Sequence, residues 1–438
     1  MDVNVAIVGA GPAGLTAARA LKEHGIGFEV FEKHSDVGGI WDRGNPGTPM
    51  YESAHFISSK TMSHFAGYPM PNDYPDYPSN KQLLAYIRNF ARDFALLPYI
   101  HFNTAVTAAK RQGEGWTLQF ADGASKNFTH LIAAVGTTWA ANQPDIPGEF
   151  SGKLIHSVEY KTSTDMKGKS VLIIGAGNSG CDIACDVARS ADKAFISLRR
   201  GYHFIPKHIF GKPADVFAAE GPHLPLWLTQ KIFGILLRLL TGDLTRLGLP
   251  KPDHKLLESH PILNDQILHH LRHGDIRVKP DVERFDGHQV IFKDGSREDF
   301  DLVITATGYS WPIPFIDRSA FDWTGERPEL YLNMISPKDE RLFVAGFLEV
   351  NGGGYKHFGA MADTIARTIN LETADTNKHQ TLRQIAETEH PVISGGIKLV
   401  ASDRHAHYAD SDGYKAALKA FRKRMGWPEF LETLSKAA

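Results

Sequence analysis

Two glycine-rich hexapeptides have the residue spacing with the clearest chemistry in this sequence. One runs from Gly9 to Gly14 and the other from Gly175 to Gly180, so the second begins 166 residues after the first. Each follows an apolar run and precedes apolar residues at helical spacing, which predicts a strand, a tight turn and a helix. In such a turn the second glycine lets the backbone approach a pyrophosphate, whose charge meets free N–H groups at the helix N-terminus. The sequence therefore predicts two dinucleotide-binding turns, formed by Gly9, Gly11, Pro12, Ala13 and Gly14 and by Gly175, Gly177, Asn178, Ser179 and Gly180.

The charges that follow each turn distinguish the two ligands. Glu32 ends the second predicted strand, where a carboxylate can accept hydrogen bonds from the hydroxyls of an unphosphorylated ribose. The corresponding residue of the second unit is Leu198, and Arg199 and Arg200 come next. Two guanidinium groups can bind a 2′-phosphate there, unless they are only solvated surface charge. We therefore expect FAD at the first turn and NADPH at the second, with NADH also used if a single arginine engages the phosphate.

Two further apolar segments, 130–137 and 301–309, each follow a hairpin-like stretch, and each has a glycine as its next-to-last residue. Such segments fit strands that return the chain to a parallel sheet after an excursion. The sequence predicts a doubly wound α/β protein with two Rossmann-like domains, the second inserted into the first. The FAD-binding domain is expected at 1–164 and 301–438, and the NADPH-binding domain at 165–300, with a helical insert at about 205–265.

Bulk composition excludes several classes of protein. The chain has 438 residues, is 42% apolar and 22% charged, and has a net charge of −2, which gives no support to nucleic acid as a partner. Cys181 and Cys185 do not form a C-x-x-C pair and are expected to be small core residues, so a reducing, cytoplasmic setting is predicted. The N-terminus runs straight into a strand pattern, so we expect no signal peptide.

Residues 224–242 form an apolar segment with nearly the length of a membrane span. Lys231 and Arg238 interrupt it, and a span needs roughly 20 uninterrupted apolar residues. A helix packed on the protein or lining a substrate entrance is expected, with superficial membrane contact as the alternative. The chain also has no convincing nucleophile–base triad and no metal-ligand cluster, because the histidines of 268–275 read as a polar helix end.

The stretch FSGKLIHSVEYK, residues 150–161, lies between the two turns. Phe150, Gly152, His156 and Tyr160 follow the spacing F-x-G-x-x-x-H-x-x-x-Y, which resembles the fingerprint of flavin-containing monooxygenases of the soluble bacterial type, among the class B flavoprotein monooxygenases. The resemblance covers nearly the whole chain, including GGIWDRG at 38–44, GAGNSGCDIA at 175–184 and TATGY at 305–309. We expect the fingerprint to link the domains and position the cofactors, with direct catalysis by His156 as the alternative.

The resemblance implies an enzyme that reduces FAD with NADPH, forms a C4a-(hydro)peroxyflavin with O2, and passes oxygen to an amine nitrogen or a sulfide sulfur. It also implies additional cofactor contacts, at Lys33, Gly39, Ile40, Trp41, Val106 and Gly136. Where many relatives have a Thr-Asn pair, this chain has Phe56 and Ile57. That asparagine is thought to hydrogen-bond NADP⁺, which Ile57 cannot do. The residues expected at the catalytic position are His55, Ile57, Ser58 and Lys60, with Ser59 as a further polar neighbour.

Three other functions compete with N- or S-oxygenation. Baeyer–Villiger oxidation of ketones is the first, although such enzymes typically have Trp where this chain has Tyr160. A flavoprotein disulfide reductase needs a cysteine pair beside the flavin, which this chain lacks. A non-catalytic nucleotide-binding protein would have no reason to keep two intact turns. No residue of the sequence indicates a particular substrate. A homodimer is expected only because two-fold assemblies are common.

Overall fold

The computed structural model describes residues 3–222, 224–400 and 408–430. Within these residues, two five-stranded parallel sheets are formed by β1 (Asn4–Val8), β2 (Gly27–Phe31), β3 (Ile100–His101), β4 (His130–Ala133), β5 (Lys153–His156), β6 (Ser170–Ile174), β7 (Lys193–Ser197), β8 (Ile276–Lys279), β9 (Leu302–Thr305) and β10 (Leu342–Val344). The α-helices are α1 (Pro12–Glu23), α2 (Asn80–Asp93), α3 (Asn178–Ala188), α4 (Ala214–Glu220), α5 (Leu226–Thr241), α6 (Gln266–His273), α7 (Gly354–Ala374), α8 (Thr376–Thr388) and α9 (Ser411–Arg424). Single 3₁₀ turns lie at Gly39–Trp41, Leu97–Tyr99, Ser163–Met166, Leu244–Leu247 and Arg318–Ala320.

The first compact unit comprises the chain up to Thr48, Ser58–Thr137, and the chain from Ser310 onward. Its parallel sheet has the strand order β10-β4-β1-β2-β3. Strand β1 is buried from Val5 to Val8, as expected for a central strand whose two faces are both covered. Helix α1 packs against α7, and α2 begins with a capping box between Ser79 and Gln82.

The second compact unit comprises Pro49–Ile57 and Thr138–Tyr309, and its sheet has the strand order β8-β7-β6-β9-β5. Its central pair repeats that of the first unit, because Ser170 faces Lys193 where Asn4 faces Gly27. The returning strands also correspond, since β4 pairs with β1 and β9 pairs with β6. The predicted doubly wound α/β fold with two Rossmann-like units is confirmed.

The two hairpin-like stretches of the sequence belong to three-stranded antiparallel sheets. One is formed by Val106–Gln112, Gly115–Phe120 and Ser125–Phe128, and the other by Val282–Asp286, Gln289–Phe292 and Arg297–Asp299. The remaining described strands are two residues long, at Ala140–Ala141, Phe204–Ile205, His208–Ile209, Lys212–Pro213, Ile262–Leu263, Tyr309–Ser310, Trp323–Thr324, Arg327–Pro328, Glu349–Val350 and Tyr408–Ala409.

The division into units differs from the predicted domain boundaries at 164/165 and 300/301. Strand β5 pairs with β9, with Lys153 opposite Leu302 and His156 opposite Thr305. Residues 138–164 and 301–309, together with Pro49–Ile57, belong to the second unit, although they were expected in the first. The reason is that hydrogen bonds within a sheet, rather than the position of the turn in the sequence, decide which unit a strand joins. Which cofactor each unit binds stays a prediction.

The predicted insert at about 205–265 contains a short hairpin and helices α4 and α5. Of the residues of α5, only Leu237 and Thr241 are buried, and Trp227 is 65% exposed. Among the helices described, none is both long enough and apolar enough to cross a bilayer. Contact with a membrane surface and a role in a substrate entrance both stay predictions.

Candidate functional site

The first glycine-rich turn joins β1 to α1 in a conformation that requires glycine. Gly9 has a φ of +110°, and a Cβ at Gly14 would lie 1.9 Å from the carbonyl oxygen of Gly9. Helix α1 starts at Pro12, and no side chain caps its N-terminus. The first amides of the helix therefore have no acceptor from a side chain, which suits the binding of a pyrophosphate.

Glu32 is held against this turn. The residue is 5% exposed, its Oε2 accepts a hydrogen bond of 2.7 Å from the Ala10 amide, and its Oε1 accepts one of 2.9 Å from the His34 amide. Each carboxylate oxygen can accept a second hydrogen bond. The arrangement fits an unphosphorylated ribose, as predicted for FAD.

The segment Gly38–Trp41 is fixed beside the same turn. The Gly38 amide donates to the Ala10 carbonyl over 3.2 Å, and a Cβ at Gly11 would lie 3.5 Å from Gly39 Cα. The Asn45 amide group donates to the Gly39 carbonyl over 2.9 Å, which secures the segment from its other side. The structure thus brings together the first turn and the predicted cofactor contacts Gly39, Ile40 and Trp41.

The second turn has nearly the same backbone geometry as the first. Gly175 has a φ of +104°, and a Cβ at Gly180 would lie 2.1 Å from the Gly175 carbonyl oxygen. Helix α3 also starts without a side-chain cap. Asn178 has a structural partner, because its Oδ1 accepts a hydrogen bond of 3.0 Å from the Leu263 amide, whereas Ser179 is exposed. The turn fits a second dinucleotide.

The two arginines after β7 differ from each other. Arg199 is exposed, and within the described part of the chain its side chain forms no hydrogen bond or ion pair. Arg200 is bound, since its Nη2 lies 2.9 Å from each carboxylate oxygen of Asp253. Hydrogen bonds from His254 and Arg200 lower the pKa of Asp253 to about 2, so this carboxylate is charged at neutral pH. Of the predicted pair, Arg199 is the one whose whole guanidinium is available to a 2′-phosphate.

Every fingerprint residue is anchored within the second unit. A Cβ at Gly152 would lie 2.7 Å from the Phe150 ring, and that ring packs 5.4 Å from Phe285. Tyr160 is 1% exposed, and its hydroxyl donates to Asp186 Oδ2 over 2.7 Å. The spacing of the fingerprint thus places β5 at the edge of the second sheet and lets the segment after β5 pack on α3.

His156 is fully buried at the end of β5. Its Nδ1 accepts a hydrogen bond of 3.2 Å from the Val158 amide, and its ring lies edge-on to Tyr309 at 5.2 Å. Burial lowers the pKa of His156, although the nearby Gly308 carbonyl opposes the change. No partner within hydrogen-bond geometry is found for Nε2 in the described residues, so the Gly308 contact is not a well-formed hydrogen bond. Linkage between domains by His156 stays a prediction.

The four residues predicted at the catalytic position are divided between the two units. His55 and Ile57 belong to the second unit, and the His55 Nδ1 donates to the Ser53 carbonyl over 2.8 Å. Ser58 and Lys60 belong to the first unit, where Ser58 Oγ accepts a hydrogen bond of 2.6 Å from Ser63. The Lys60 ammonium donates to the backbone carbonyls of Asn72 and Tyr74, which gives this lysine a structural role in the loop after it.

The other predicted contacts are placed as follows. Val106 begins a strand of an antiparallel sheet and is half-buried, Gly136 follows β4 with a φ of +76°, and Lys33 is exposed directly after Glu32. Their contacts with a cofactor stay predictions.

Sequence reasoning missed the carboxylates of helix α3. Asp182 and Asp186 are four residues apart, and they accept hydrogen bonds from Tyr51 and Tyr160, respectively. Two acidic residues four apart in a mostly apolar helix could have indicated buried hydrogen-bond acceptors. Only the two cysteines of that helix were considered from the sequence. Asp253 was missed for another reason, because no local pattern connects it with Arg200.

Comparison with known proteins agrees with this geometry. The model of the flavin-binding monooxygenase-like family matches residues 2–390. Flavin-containing monooxygenase 5 from Homo sapiens is 34% identical over 377 residues, which cover 80% of this chain and 70% of that protein. Dimethylaniline monooxygenase [N-oxide-forming] 2 from Oryctolagus cuniculus is 31% identical over 371 residues, covering 78% of this chain and 68% of that protein.

Among solved structures, cyclohexanone monooxygenase with bound ε-caprolactone has a TM-score of 0.72 at 16% identity, covering 98% of this chain and 99% of that chain. At such identity the likeness concerns the fold. The match to the family model and the identity to the curated relatives show the family as well as the fold. They agree with the two dinucleotide turns found in the structure. The chain therefore belongs to the flavin-binding monooxygenase-like family, whose members are FAD-dependent, NAD(P)H-using oxidoreductases.

Proposed function

We propose that this protein uses NADPH and O2 to transfer one oxygen atom to a soft nucleophile, either an amine nitrogen or a sulfide sulfur. NADPH, a proton, O2 and the nucleophile give NADP⁺, water and the oxygenated product. When bound, the flavin supplies electron transfer and activation of oxygen, which no side chain of the chain provides. The observation that carries the proposal is the pair of equivalent glycine-rich turns, followed by Glu32 in one unit and by Arg199 and Arg200 in the other.

Each unit has residues suited to one cofactor. In the first unit, the amides at the start of α1 would hold the FAD pyrophosphate, and Glu32 would accept hydrogen bonds from the ribose. In the second unit, the amides at the start of α3 would hold the NADPH pyrophosphate, and the Arg199 guanidinium would hold the 2′-phosphate. His55 and Ser58 are the polar groups proposed to compensate for Ile57.

Oxygenation at nitrogen or sulfur is favoured by Tyr160, because the typical Baeyer–Villiger enzymes of the resembled group have tryptophan at this position of the fingerprint. In this chain the Tyr160 hydroxyl donates to Asp186 Oδ2 over 2.7 Å. The rabbit relative carries N-oxide formation in its name, which supports the same substrate class.

Baeyer–Villiger oxidation of a ketone with relaxed use of NADPH and NADH is the second candidate. The specific observation in its favour is that Arg200 is bound by Asp253, which leaves one arginine for the 2′-phosphate. Ile57 also stands where the resemblance places an asparagine in many relatives, so that side-chain amide is missing here. At 16% identity the likeness to cyclohexanone monooxygenase concerns the fold alone.

The first experiment mixes the NADPH-reduced enzyme rapidly with O2 in the absence of substrate and follows the flavin absorbance. A persistent absorbance distinct from oxidised and reduced flavin supports the proposal. A screen of amines, sulfides and ketones with isotopically labelled O2 then separates the two candidates. Direct return to oxidised flavin with one H2O2 per NADPH, together with no labelled product, contradicts both.

Ile57→Asn restores the amide found in many relatives. Because one added hydrogen bond to a charged or polar partner contributes about 1–2 kcal/mol, the transient absorbance should persist about tenfold longer. Ile57→Leu is the matched control, since it changes shape without adding a polar group, and it should leave the lifetime unchanged. An equal change in both variants would argue against a hydrogen-bonding role at this position.

A further inference from the structure

Helix α3 presents two carboxylates to a segment that is distant in the sequence. Residues 49–57, here called the strap, belong to the second compact unit, although the chain on both sides of the strap belongs to the first. The strap has no helix and no strand beyond a single β-bridge residue at His55, and its Glu52 amide donates to the Lys161 carbonyl over 2.8 Å. Side chains of the strap also contact α3.

Two hydroxyls of the strap bind the two carboxylates. The Tyr51 hydroxyl donates to Asp182 Oδ2 over 3.2 Å, and the Ser53 hydroxyl donates to Asp186 Oδ2 over 2.9 Å. Asp182 and Asp186 are one helical turn apart, so both point to the same side of α3. The two hydrogen bonds therefore hold the strap against this side of α3.

The carboxylates are themselves fixed by other residues. Asp186 Oδ2 also accepts a hydrogen bond of 2.7 Å from Tyr160, and Asp182 Oδ1 accepts one of 2.5 Å from Asn264. The rings of Tyr51 and Tyr160 pack edge to face at 5.7 Å. Tyr160 thus connects the fingerprint to the strap through a shared carboxylate.

The hydroxyls remain donors over the whole working range of pH. Burial, reinforced by Asp182, raises the pKa of Tyr51, and burial, reinforced by Asp186, raises that of Tyr160. Both phenols therefore stay protonated. Burial also raises the pKa of Asp182, against the opposing effect of Lys207.

Within the strap, the backbone carbonyl of Ser53 fixes the tautomer of His55. The His55 Nδ1 lies 2.8 Å from the Ser53 carbonyl oxygen, which can only accept, so Nδ1 carries the proton. In the neutral ring, Nε2 is then an acceptor, and it becomes a donor only on protonation. Movement of Ser53 would remove the acceptor that holds the His55 ring in this orientation.

We propose that Tyr51 and Ser53 are positioning residues that fasten the strap to α3 and so fix where His55 and Ile57 stand relative to the second glycine-rich turn. The inference rests on the proposed function in one respect, namely that His55 and Ile57 act at the oxygenation site. A loosened strap should divert reducing equivalents to peroxide, so that NADPH, a proton and O2 give NADP⁺ and H2O2 without oxygenated product.

The test uses the FAD-loaded full chain with Tyr51→Phe, Ser53→Ala and Ser53→Thr. The first two variants each remove one hydrogen bond, so amide hydrogen exchange in residues 50–57 should rise about tenfold while exchange in β6 is unchanged. The fraction of NADPH that ends as H2O2 should rise at least about twofold, in line with a looser site, while KM for NADPH stays the same. Ser53→Thr keeps the hydroxyl and should restore both properties.

Tyr414→Phe is the matched control. Tyr414 is fully buried in the first unit and its hydroxyl donates to the Leu332 carbonyl over 2.9 Å, so the variant also removes a buried tyrosine hydrogen bond. It should change neither strap exchange nor peroxide yield.

Unchanged exchange in Tyr51→Phe and Ser53→Ala would overturn the fastening role. Faster exchange with unchanged peroxide yield would overturn the positioning role. If the wild type itself gives only peroxide with every substrate class, the proposed oxygenation fails, and the exchange data alone then decide whether the two hydroxyls hold the strap.

Discussion

The unequal environments of Arg199 and Arg200 give a quantitative prediction about cofactor choice. Arg199 is exposed and makes no side-chain hydrogen bond or ion pair among the residues described, whereas Arg200 is bound through Nη2 to Asp253. Arg199 can meet a 2′-phosphate with its whole guanidinium, whereas Arg200 would share its guanidinium with Asp253. We expect Arg199→Ala to lose the larger share of the discrimination between NADPH and NADH.

The expected magnitude follows from the type of contact. A hydrogen bond between charged groups contributes about 1.5–3 kcal/mol, which corresponds to roughly a 10- to 100-fold change in an equilibrium constant. Arg199→Ala should therefore raise the KM for NADPH about 10- to 100-fold and leave the KM for NADH unchanged. Arg200→Ala should have a smaller effect, because its guanidinium is already paired.

Asp253→Asn tests the same reasoning in the opposite direction. The Asp253 side chain is 58% exposed, so its ion pair with Arg200 is a surface pair of about 0.2–1 kcal/mol, or roughly 1.4- to 5-fold. Releasing Arg200 and removing the negative charge should lower the KM for NADPH by about that factor, with no change for NADH.

Steady-state oxidation of NADPH and NADH, measured at two salt concentrations, supplies the readout. The effect of each variant on NADPH should shrink at high salt, because exposed charges are screened. A rise in the KM for NADPH in Asp253→Asn would refute the argument, since it would mean that Asp253 orients Arg200 towards the phosphate. Equal losses for NADPH and NADH in Arg199→Ala would refute the assignment of the 2′-phosphate.

Two further predictions concern stability. Tyr160→Phe removes a buried hydroxyl that lies 2.7 Å from Asp186 Oδ2. Because a hydrogen bond to a carboxylate contributes about 1.5–3 kcal/mol, we expect the free energy of unfolding to fall by that amount in urea titrations of the FAD-loaded protein. A loss below about 0.5 kcal/mol would contradict a stabilising role of this hydrogen bond. Glu372 has its pKa lowered from 4.5 to about 2, first by the hydrogen bond from His130, so it contributes stability that is present above pH 4.5 and is lost as the pH falls towards 2. The Tm of Glu372→Gln should therefore depend less on pH than that of the wild type across this window, and parallel Tm curves for the two proteins would contradict it.

The sequence by itself determined the parts of this protein that depend on local periodicity. Gly9 to Gly14 and Gly175 to Gly180 predicted two strand–turn–helix units, because only glycine accepts the φ values of +110° and +104° and the close contacts at these turns. The apolar runs at 130–137 and 301–309 predicted the returning strands, and the family resemblance predicted an FAD- and NADPH-dependent monooxygenase.

Only the tertiary structure decided which polar side chains meet. Tyr51 and Asp182 are 131 residues apart, and Arg200 and Asp253 are 53 apart, so no local spacing signals either contact. The fingerprint is an intermediate case, because its spacing is visible in the sequence but its reason is not. Tyr160 is buried against Asp186, and β5 pairs with β9, through contacts between residues that are far apart in the sequence. The physical cause is that periodicity reports which face of an element is buried, whereas side-chain pairing depends on how distant elements pack.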